Sequence, residues 1–205
     1  MSSSDRGAGT DPYTAALDML RRRLRAGEVG AGEPLTVADA AGALRLSATP
    51  VREALAHLAG EGLIERRRGR GYVVRRLDGV DLQELYGLRQ LYLLAALARD
   101  PGGPRPAPAA GRSPEDRLDE VLLAIVERSD NAALIEAYRR LADRLAPAGP
   151  AERRMFPVAA EAERLMGAAA GADEAVVVTA LHEARRLKAS EIAQAMRARR
   201  PISRI

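Results

Sequence analysis

The stretch Leu46–Val74 reads LSATPVREALAHLAGEGLIERRRGRGYVV, and its pattern decides the fold of the first third of the chain. Ser47 is a favourable helix N-cap, and Pro50 is tolerated in the first turn, where no internal N–H bond is needed. The predicted helix ends at about Glu61, because Gly62 interrupts it. Its buried stripe consists of three apolar side chains, Val51, Leu55 and Leu58.

A β-hairpin is predicted directly after this helix. Residues 63–66 (LIER) and 72–75 (YVVR) read as strands. Residues 67–71 (RRGRG) contain two glycines and suit the loop that would connect the strands. A helix followed by such a hairpin is typical of a recognition helix and its wing.

Two further helices are predicted before this stretch. The first opens at Asp11-Pro12, a cap followed by proline at the first helical position, and ends at Gly27. The second covers residues 37–44, after a short extended piece at residues 33–36. The stripe that the first helix buries is Tyr13, Leu17, Leu20 and Leu24. Helix, helix, turn, helix and hairpin together predict a winged helix-turn-helix.

Beyond Asp78 the pattern is wholly helical. Residues 100–113 (DPGGPRPAPAAGRS) are rich in proline, glycine and alanine, and we expect them to form a flexible linker. Five helices are predicted in this region, over residues 80–99, 114–128, 131–145, 151–168 and 173–199. The apolar stripe of the first of these is Leu82, Leu85, Leu88, Tyr92 and Ala96.

The predicted fold class is mainly α, with an N-terminal winged helix-turn-helix (three helices plus a β-hairpin wing) followed by an all-α helical bundle. The predicted domain organisation is a disordered N-terminus over residues 1–11, the winged helix-turn-helix domain over residues 12–77, and the all-helical domain over residues 78–205.

The composition excludes several classes of protein. The 205 residues contain no cysteine, which rules out disulfide frameworks and thiolate metal sites, and the two histidines are too few for a histidine-rich metal centre. Residues 1–10 lack the apolar core of a signal peptide, and no run approaches the roughly 18–20 apolar residues of a membrane span. We therefore expect a cytoplasmic protein with no metal, no cofactor and no membrane association.

Positive charge is concentrated near the N-terminus. Residues 1–76 contain 13 arginines and nine acidic residues, whereas the acidic and basic residues of the remaining chain balance. This asymmetry favours a polyanion-binding N-terminal domain joined to a neutral C-terminal region.

The face of the third helix opposite its buried stripe carries Thr49, Arg52 and Ala56. A helix with small residues and one arginine near its N-terminus can enter the DNA major groove, where Arg52 could pair with a guanine edge or a phosphate. The hydroxyls of Ser47 and Thr49 suit backbone phosphates. The alternative is a surface helix that binds nothing.

The predicted wing is strongly basic. Its cations would lie along the neighbouring minor groove or the DNA backbone, although a solvated basic hairpin is the alternative. The order and spacing of helix and hairpin favour DNA binding over that alternative. The cationic side chains are Arg66, Arg67, Arg68 and Arg70.

The N-terminal third resembles the DNA-binding domain of GntR-family bacterial transcription regulators. The residues that carry the resemblance are Leu24–Leu35 (LRAGEVGAGEPL) and the Leu46–Val74 stretch quoted above. Ala48 stands where the family often has an arginine, so one base contact differs. The DNA contacts that the resemblance implies are Ser47, Thr49 and Arg52 on the recognition helix, and Gly69, Arg70 and Gly71 at the wing tip.

The C-terminal region resembles, over shorter segments, the all-helical ligand-binding domain of the FadR/FCD subfamily. The segments are Asp81–Arg89 (DLQELYGLR), Ser129–Leu134 (SDNAAL) and Gly171–Asp173 (GAD). The resemblance implies that residues 78–205 form an effector and dimerisation domain. That subfamily's pocket binds a small carboxylate, often through a metal held by one aspartate and three histidines. His182 is the only histidine in this region, so we expect no metal and a reduced or remodelled pocket.

The resemblance implies three effector contacts, and each has a structural alternative. Arg89 aligns with an arginine that faces the effector in relatives. The alternative is that Arg89 lies on the surface and forms an ion pair with an acidic neighbour, namely Glu84, Glu120 or Glu127. Tyr92 would otherwise belong to the core. His182 would otherwise be a surface histidine or a buried one with satisfied hydrogen bonds.

No catalytic motif accompanies these features. The chain has no Gly-x-Ser-x-Gly elbow, no Gly-x-x-x-x-Gly-Lys phosphate loop and no dinucleotide fingerprint, so we expect no enzyme activity. We expect a transcription regulator that binds a palindromic double-stranded DNA operator as a homodimer. Because repression is the commoner outcome in the family that the chain resembles, we expect it to be a repressor. A small carboxylate effector would release it. The alternatives are a winged-helix protein-interaction module and a constitutive regulator without an effector.

Overall fold

The structure is a computed structural model that describes residues 11–69, 71–99, 117–169 and 171–198. Its contacts divide the chain into two compact units, one ending at Arg76 and the other starting at Leu77. The predicted linker and most of the N-terminal segment predicted to be disordered lie outside the described residues. None of the described helices combines the length and the apolar character needed to cross a lipid bilayer.

The N-terminal unit contains three helices and three short strands. The elements are α1 (Pro12–Ala26), β1 (Pro34–Leu35), α2 (Val37–Leu44), α3 (Ala48–Gly60), β2 (Ile64–Arg67) and β3 (Gly71–Val74). Asp11 caps α1 by accepting a hydrogen bond from the Thr14 backbone N–H at 3.2 Å. Thr36 caps α2 in the same way, accepting from the Asp39 N–H at 3.0 Å.

The wing is part of a three-stranded antiparallel sheet rather than a free hairpin. The strand order is β1-β3-β2, because the extended piece before α2 pairs with β3, with Leu35 opposite Tyr72. Both hairpin strands are displaced by one residue toward the loop relative to the prediction, which makes the loop shorter. The central position of β3 anchors the wing to the domain.

The apolar face of α3 lies at the centre of the N-terminal core. Val51, Leu55 and Leu58 are completely buried, as predicted, and Ala54 joins them. They pack in one cluster with the buried side chains of α1 and of the sheet. This packing fixes which side of α3 faces outward.

The C-terminal unit is entirely helical in the part that the structure describes. Its elements are α4 (Gly79–Leu97), α5 (Arg117–Glu127), α6 (Ala132–Leu145), a 3-10 turn (Ala146–Ala148), α7 (Gly149–Met155), α8 (Val158–Gly167), α9 (Ala172–Leu187) and α10 (Ala189–Arg197). The predicted fold class, a winged helix-turn-helix domain followed by an all-α region, is confirmed.

Two of the predicted helices are each broken into two. The helix predicted over residues 151–168 is interrupted by Phe156 in an extended conformation, followed by Pro157, which cannot donate a helical hydrogen bond. The helix predicted over residues 173–199 breaks at Lys188. This second break lets α10 pack into a different apolar cluster from the one that α9 enters.

The buried face of α4 also differs from the predicted stripe. Leu88 is 36% exposed and Tyr92 is half-buried, whereas Tyr86 and Leu93 are fully buried. The buried residues of α4 lie on one side of the helix, which is rotated relative to the predicted stripe. This side contributes to two apolar clusters, one near each end of the helix.

Candidate functional site

The outward face of α3 presents the side chains predicted to read DNA. Thr49, Arg52 and Ala56 are exposed, and the apolar stripe lies on the opposite side. Ser47 occupies the N-cap position and is exposed, but its side chain makes no capping hydrogen bond. Its hydroxyl is therefore accessible at the helix N-terminus, where N–H groups and the helix dipole favour a phosphate.

Arg52 makes no ion pair or hydrogen bond with the residues that the structure describes. An exposed guanidinium without an intramolecular partner keeps all of its donors for a ligand. Glu53, which the sequence analysis did not consider, is also exposed, and its place in the helical repeat puts it on the same face. A carboxylate in a major groove accepts a hydrogen bond from cytosine N4 and repels phosphates, so Glu53 restricts which DNA this face can accept.

A polar network ties α3 to α1 at the far end of the helix from Arg52. His57 Nδ1 lies 3.1 Å from the Tyr13 hydroxyl, and His57 Nε2 lies 3.2 Å from a Glu61 carboxylate oxygen. Arg21 of α1 donates to the other Glu61 oxygen at 2.7 Å. The pattern of the sequence predicts the helix but not this network, because the two contacts that reach α1 join residues 40 and 44 positions apart.

The wing is basic and exposed. Arg66, Arg67 and Arg68 are all exposed. The Arg67 guanidinium lies 3.6 Å from the Glu65 carboxylate, and both side chains of this ion pair are exposed to solvent. An exposed pair of this kind contributes little to stability, so it does not prevent Arg67 from binding another anion. Arg70, predicted to sit at the wing tip, lies outside the described residues.

The wing glycines are required by the backbone. Gly69 has a φ of +73° and Gly71 a φ of +72°, a left-handed conformation that residues with a Cβ adopt only at a cost. No atom lies within 4 Å of a Cβ built on Gly69, so the restriction there comes from the backbone and not from crowding. The two glycines therefore shape the tight turn of the wing.

Arg89 of the helical domain is buried, with an exposure of 4%. Its Nε donates to His182 Nε2 at 2.9 Å, and its Nη1 lies 4.0 Å from a carboxylate oxygen of Asp119. Its Nη2 is buried and has no hydrogen-bond partner among the residues that the structure describes. The alternative of a surface arginine paired with an acidic neighbour is therefore wrong.

His182 is completely buried and both of its ring nitrogens are engaged. Nε2 accepts from Arg89, while Nδ1 lies 2.7 Å from the Val178 carbonyl oxygen and must therefore carry the proton. Burial, reinforced by the Arg89 charge, holds the pKa of His182 well below its ordinary 6.5. The neutral His182 ring therefore accepts the hydrogen bond that orients Arg89.

Tyr92, the third predicted effector contact, is half-buried and packs against both apolar clusters of the helical domain.

A second buried arginine lies in the same domain, and the sequence analysis did not identify it. Arg185 is fully buried and donates to Glu152 at 2.5 Å and to Glu161 at 2.7 Å. Tyr86 donates to the other Glu152 oxygen at 2.8 Å. Burial alone raises the pKa of Glu152, but the nearby Arg89 and Arg185 outweigh it and lower that pKa, so the carboxylate stays charged.

Buried donors and acceptors of the Arg185 cluster are matched, which makes it a structural network joining α7, α8 and α9. Arg89 differs because its buried Nη2 donor has no hydrogen-bond partner among the described residues. Within the described ranges no group of three or more histidine, aspartate or glutamate side chains is placed to hold a metal ion.

Residues 12–74 match the family model described as "Bacterial regulatory proteins, gntR family". No curated protein matches the chain. The matched region contains α1 to α3 and the sheet, so the N-terminal domain is similar to the domain that this family of bacterial regulatory proteins shares.

Two solved structures share the fold over almost the whole chain. McbR/YncC from E. coli is 20% identical, with a TM-score of 0.55, over 93% of this chain and 97% of that one. A structural-genomics crystal structure assigned as a GntR transcriptional regulator from Rhodococcus sp. RHA1 is 19% identical, with a TM-score of 0.63, over 92% of this chain and 98% of that one. At these identities the likeness concerns the fold alone.

Replacing Gly69 by alanine should destabilise the N-terminal domain by roughly 1 kcal/mol, because alanine resists the left-handed φ. Gly42→Ala is the matched control: Gly42 lies in α2 with no atom within 4 Å of an added Cβ, and it should stabilise the domain by about 0.5–1 kcal/mol. Urea unfolding followed by circular dichroism measures both. Equal effects of the two substitutions would contradict this account of the wing.

Acidification should destabilise the wild type through His182. The folded state keeps the ring neutral, whereas the unfolded chain takes up a proton below about pH 6.5, so stability falls as the pH drops through that value. The loss approaches about 1.4 kcal/mol per pH unit until the folded ring itself titrates. His182→Gln should lower this slope between pH 6.5 and pH 5 in thermal unfolding. Parallel pH profiles of the two proteins would show that His182 is not buried as the neutral ring.

Proposed function

We propose that this chain is a sequence-specific transcription regulator that inserts α3 into the major groove of a palindromic DNA operator as a homodimer. The observation that supports it best is the division of α3 into a buried apolar side and an exposed side with Thr49 and the unpartnered Arg52. Such a helix meets the size and polarity requirements of the groove.

The wing supplies the second part of DNA binding in this proposal. The proposed backbone or minor-groove contacts are the side chains of Arg66, Arg67 and Arg68. The further proposed DNA contacts at the wing tip are Gly69, Arg70 and Gly71. Contacts of this kind fix the register of a protein on DNA without reading sequence. The hydroxyls of Ser47 and Thr49 act in the same way at the helix N-terminus.

A dimer is proposed because one small reading domain is insufficient for tight operator binding. A single module of this size buries about 600–1,000 Å² on DNA, at the low end for specific complexes. Two domains related by a two-fold axis double that area and match a palindrome whose half-sites face the same side of the duplex. Repression, the commoner outcome in the family that the sequence resembles, is proposed as the result of operator occupancy.

The helical domain is proposed to be of FadR/FCD type in a reduced form, with Arg89 as the contact for a small carboxylate effector. The supporting observation is the buried Nη2 of Arg89, which lacks a hydrogen-bond partner. An unsatisfied buried donor costs about 1–3 kcal/mol, and a carboxylate oxygen would remove that penalty. In this arrangement His182 positions Arg89, and Tyr92, three residues further along α4, is proposed as a second effector contact.

Release from DNA requires the effector to prefer one dimer geometry. If the carboxylate binds more tightly to the arrangement that does not fit the operator, the population shifts away from DNA by that difference in affinity. The Arg89 guanidinium is placed for such coupling because α4, which carries it, directly follows the winged-helix domain in the chain.

Arg52→Ala should remove operator preference. Loss of one bidentate base contact costs roughly 1–3 kcal/mol, or about 5- to 150-fold in the ratio of specific to non-specific affinity. The measurement is a gel-shift titration of the full chain on DNA from its own upstream region against a scrambled duplex. Arg22→Ala, which removes an exposed arginine of α1, is the matched control and should keep the preference.

A substitution in the wing should lower overall DNA affinity without changing sequence preference, and the same gel-shift titration can measure this. Arg68→Ala should weaken binding to both duplexes about equally and reduce the slope of log K against log salt by about one. Folded wild-type protein that binds none of the upstream fragments at low salt would contradict the proposal. Retention of a protein partner by the double variant Arg52→Ala and Arg68→Ala would favour the protein-interaction module instead.

A small carboxylate should stabilise the wild type in a thermal-shift screen. A ligand present at 100 times its dissociation constant adds about 2.7 kcal/mol to the free energy of unfolding. Arg89→Gln should abolish the shift, whereas Arg139→Gln, at an exposed arginine of α6, should retain it. No shift with any member of a panel of mono-, di- and hydroxycarboxylates would favour a constitutive regulator.

A further inference from the structure

Most acidic side chains of the winged-helix domain have a partner within the domain. Glu28 and Glu61 pair with arginines of α1 at 2.8 and 2.7 Å, and Glu65 lies 3.6 Å from Arg67. Glu33 and Asp39 accept hydrogen bonds at 3.0 and 2.6 Å. Glu53 of α3 differs: it is exposed and makes no ion pair or hydrogen bond with any residue that the structure describes.

Glu53 lies near the middle of the outward side of α3. The mean direction of four buried side chains defines the inward side of this helix: Val51, Ala54, Leu55 and Leu58. At about 100° per residue, Glu53 points about 30° away from the opposite direction, whereas Arg52 points about 70° away from it. The exposed neighbours of Glu53 on this outward ridge are short, namely Thr49, Ala56 and Gly60. The Glu53 carboxylate therefore projects farther from the ridge than they do.

Nearby cations on the same helix do not neutralise Glu53. Arg52 is adjacent in sequence, and side chains at successive helix positions point about 100° apart and do not face each other. His57, one turn further along, has its two ring nitrogens within hydrogen-bond distance of Tyr13 and Glu61. The outward side of α3 therefore presents a positive group and a negative group that act separately.

A carboxylate on a surface that binds DNA is repelled by the phosphates, and a hydrogen bond from a base can offset that repulsion. In the major groove, guanine presents only acceptors, and thymine presents an acceptor and a methyl group. Adenine presents its amino group beside the N7 acceptor, which repels a carboxylate. Cytosine presents its N4 donor without that neighbouring acceptor, so cytosine is the base that a single carboxylate suits best.

We propose that Glu53 is a specificity-determining residue, whose carboxylate accepts a hydrogen bond from N4 of one cytosine in each half-site of the operator. The inference deepens the proposed function and rests on it, because it requires α3 to lie in the major groove. Wherever another base occupies that position, the carboxylate faces an acceptor or a methyl group and loses water without gaining a partner. Glu53 thus lowers affinity for the wrong sequences, which is a second route to specificity beside favourable contacts with the right one.

The position of this cytosine follows from the spacing of Arg52 and Glu53. Their Cα atoms are about 3.8 Å apart, close to the roughly 3.4 Å between successive base pairs. The Arg52 guanidinium suits the acceptors of guanine, and the Glu53 carboxylate suits the donor of cytosine. The cytosine should therefore lie within about two base pairs of the guanine that Arg52 contacts.

The test compares base preferences of the full-length wild type and of variants at Glu53. The wild-type half-site is first selected from randomised duplexes, and each of its C·G pairs is then replaced by the other three pairs in gel-shift titrations. Replacing the pair read by Glu53 should weaken wild-type binding about 5-fold or more, the usual cost of one mismatched pair. Glu53→Ala should bind the four duplexes about equally, and it should bind a scrambled duplex more tightly because the repulsion is removed.

Glu53→Gln gives a change of preference rather than a loss. A glutamine amide pairs with N6 and N7 of adenine, so this variant should prefer an A·T pair at the same position. Asp18→Asn is the matched control, since Asp18 is an exposed acidic residue of α1 that also has no hydrogen bond or ion pair with the described part of the chain. It should keep the preference for cytosine. Circular dichroism of each variant checks that the domain is folded.

The outcomes separate this inference from the proposed function. Wild-type protein without any sequence preference would contradict the proposed function and the inference with it. A wild-type preference that Glu53→Ala leaves unchanged at every position of the half-site would overturn the inference alone. A uniform gain in affinity of Glu53→Ala for all sequences would likewise overturn it, because the carboxylate would then only repel DNA.

Discussion

Burial of one side of α3 is the constraint on which the candidate DNA interface depends. Each of Val51, Leu55 and Leu58 contributes about 1.5–3 kcal/mol by leaving water, so the helix cannot rotate without a large loss of stability. Because the helix is held in this orientation, Thr49 and Arg52 stay exposed, and Arg52 forms no ion pair or hydrogen bond with the part of the chain that the structure describes. The hydrogen-bonded link from His57 to α1 restrains the same helix at its other end.

The helical domain contains two buried arginines with different environments. Arg185 is surrounded by the carboxylates of Glu152 and Glu161 and by the Phe156 ring, 4.6 Å from its guanidinium carbon, so its charge is compensated. Arg89 lies 5.3 Å above the Tyr86 ring, donates to a neutral histidine and has the carboxylates of Asp119 and Glu152 in its neighbourhood, but one of its buried donors has no partner among the described residues. A compensated arginine stabilises a fold, whereas an incompletely compensated one offers binding energy to an anion.

The two sides of α4 differ in character. The inner side carries the buried Arg89, and the outer side carries the exposed Leu88 and Leu91. An anion bound at Arg89 would therefore act on a helix that also reaches the surface of the domain.

The sequence by itself determined the architecture of the winged-helix domain and the outward residues of α3. Helix caps, turn glycines and a periodic apolar stripe are short-range signals, and in this domain they all agree. The left-handed Gly69 and the cap at Asp11 are local features of this kind. The pairing of β1 with β3 was missed because two extended residues carry no detectable period.

Only the tertiary structure decided which residues of the helical domain are buried. Local pattern could not distinguish Leu88 from Leu93, because α4 carries apolar residues on its exposed side as well as on its buried side. Likewise, Arg89 is held by His182, a partner 93 residues away, and no local signal in the sequence records that contact. Burial of a charged side chain depends on the groups that distant segments bring to it, and those are fixed when the helices pack.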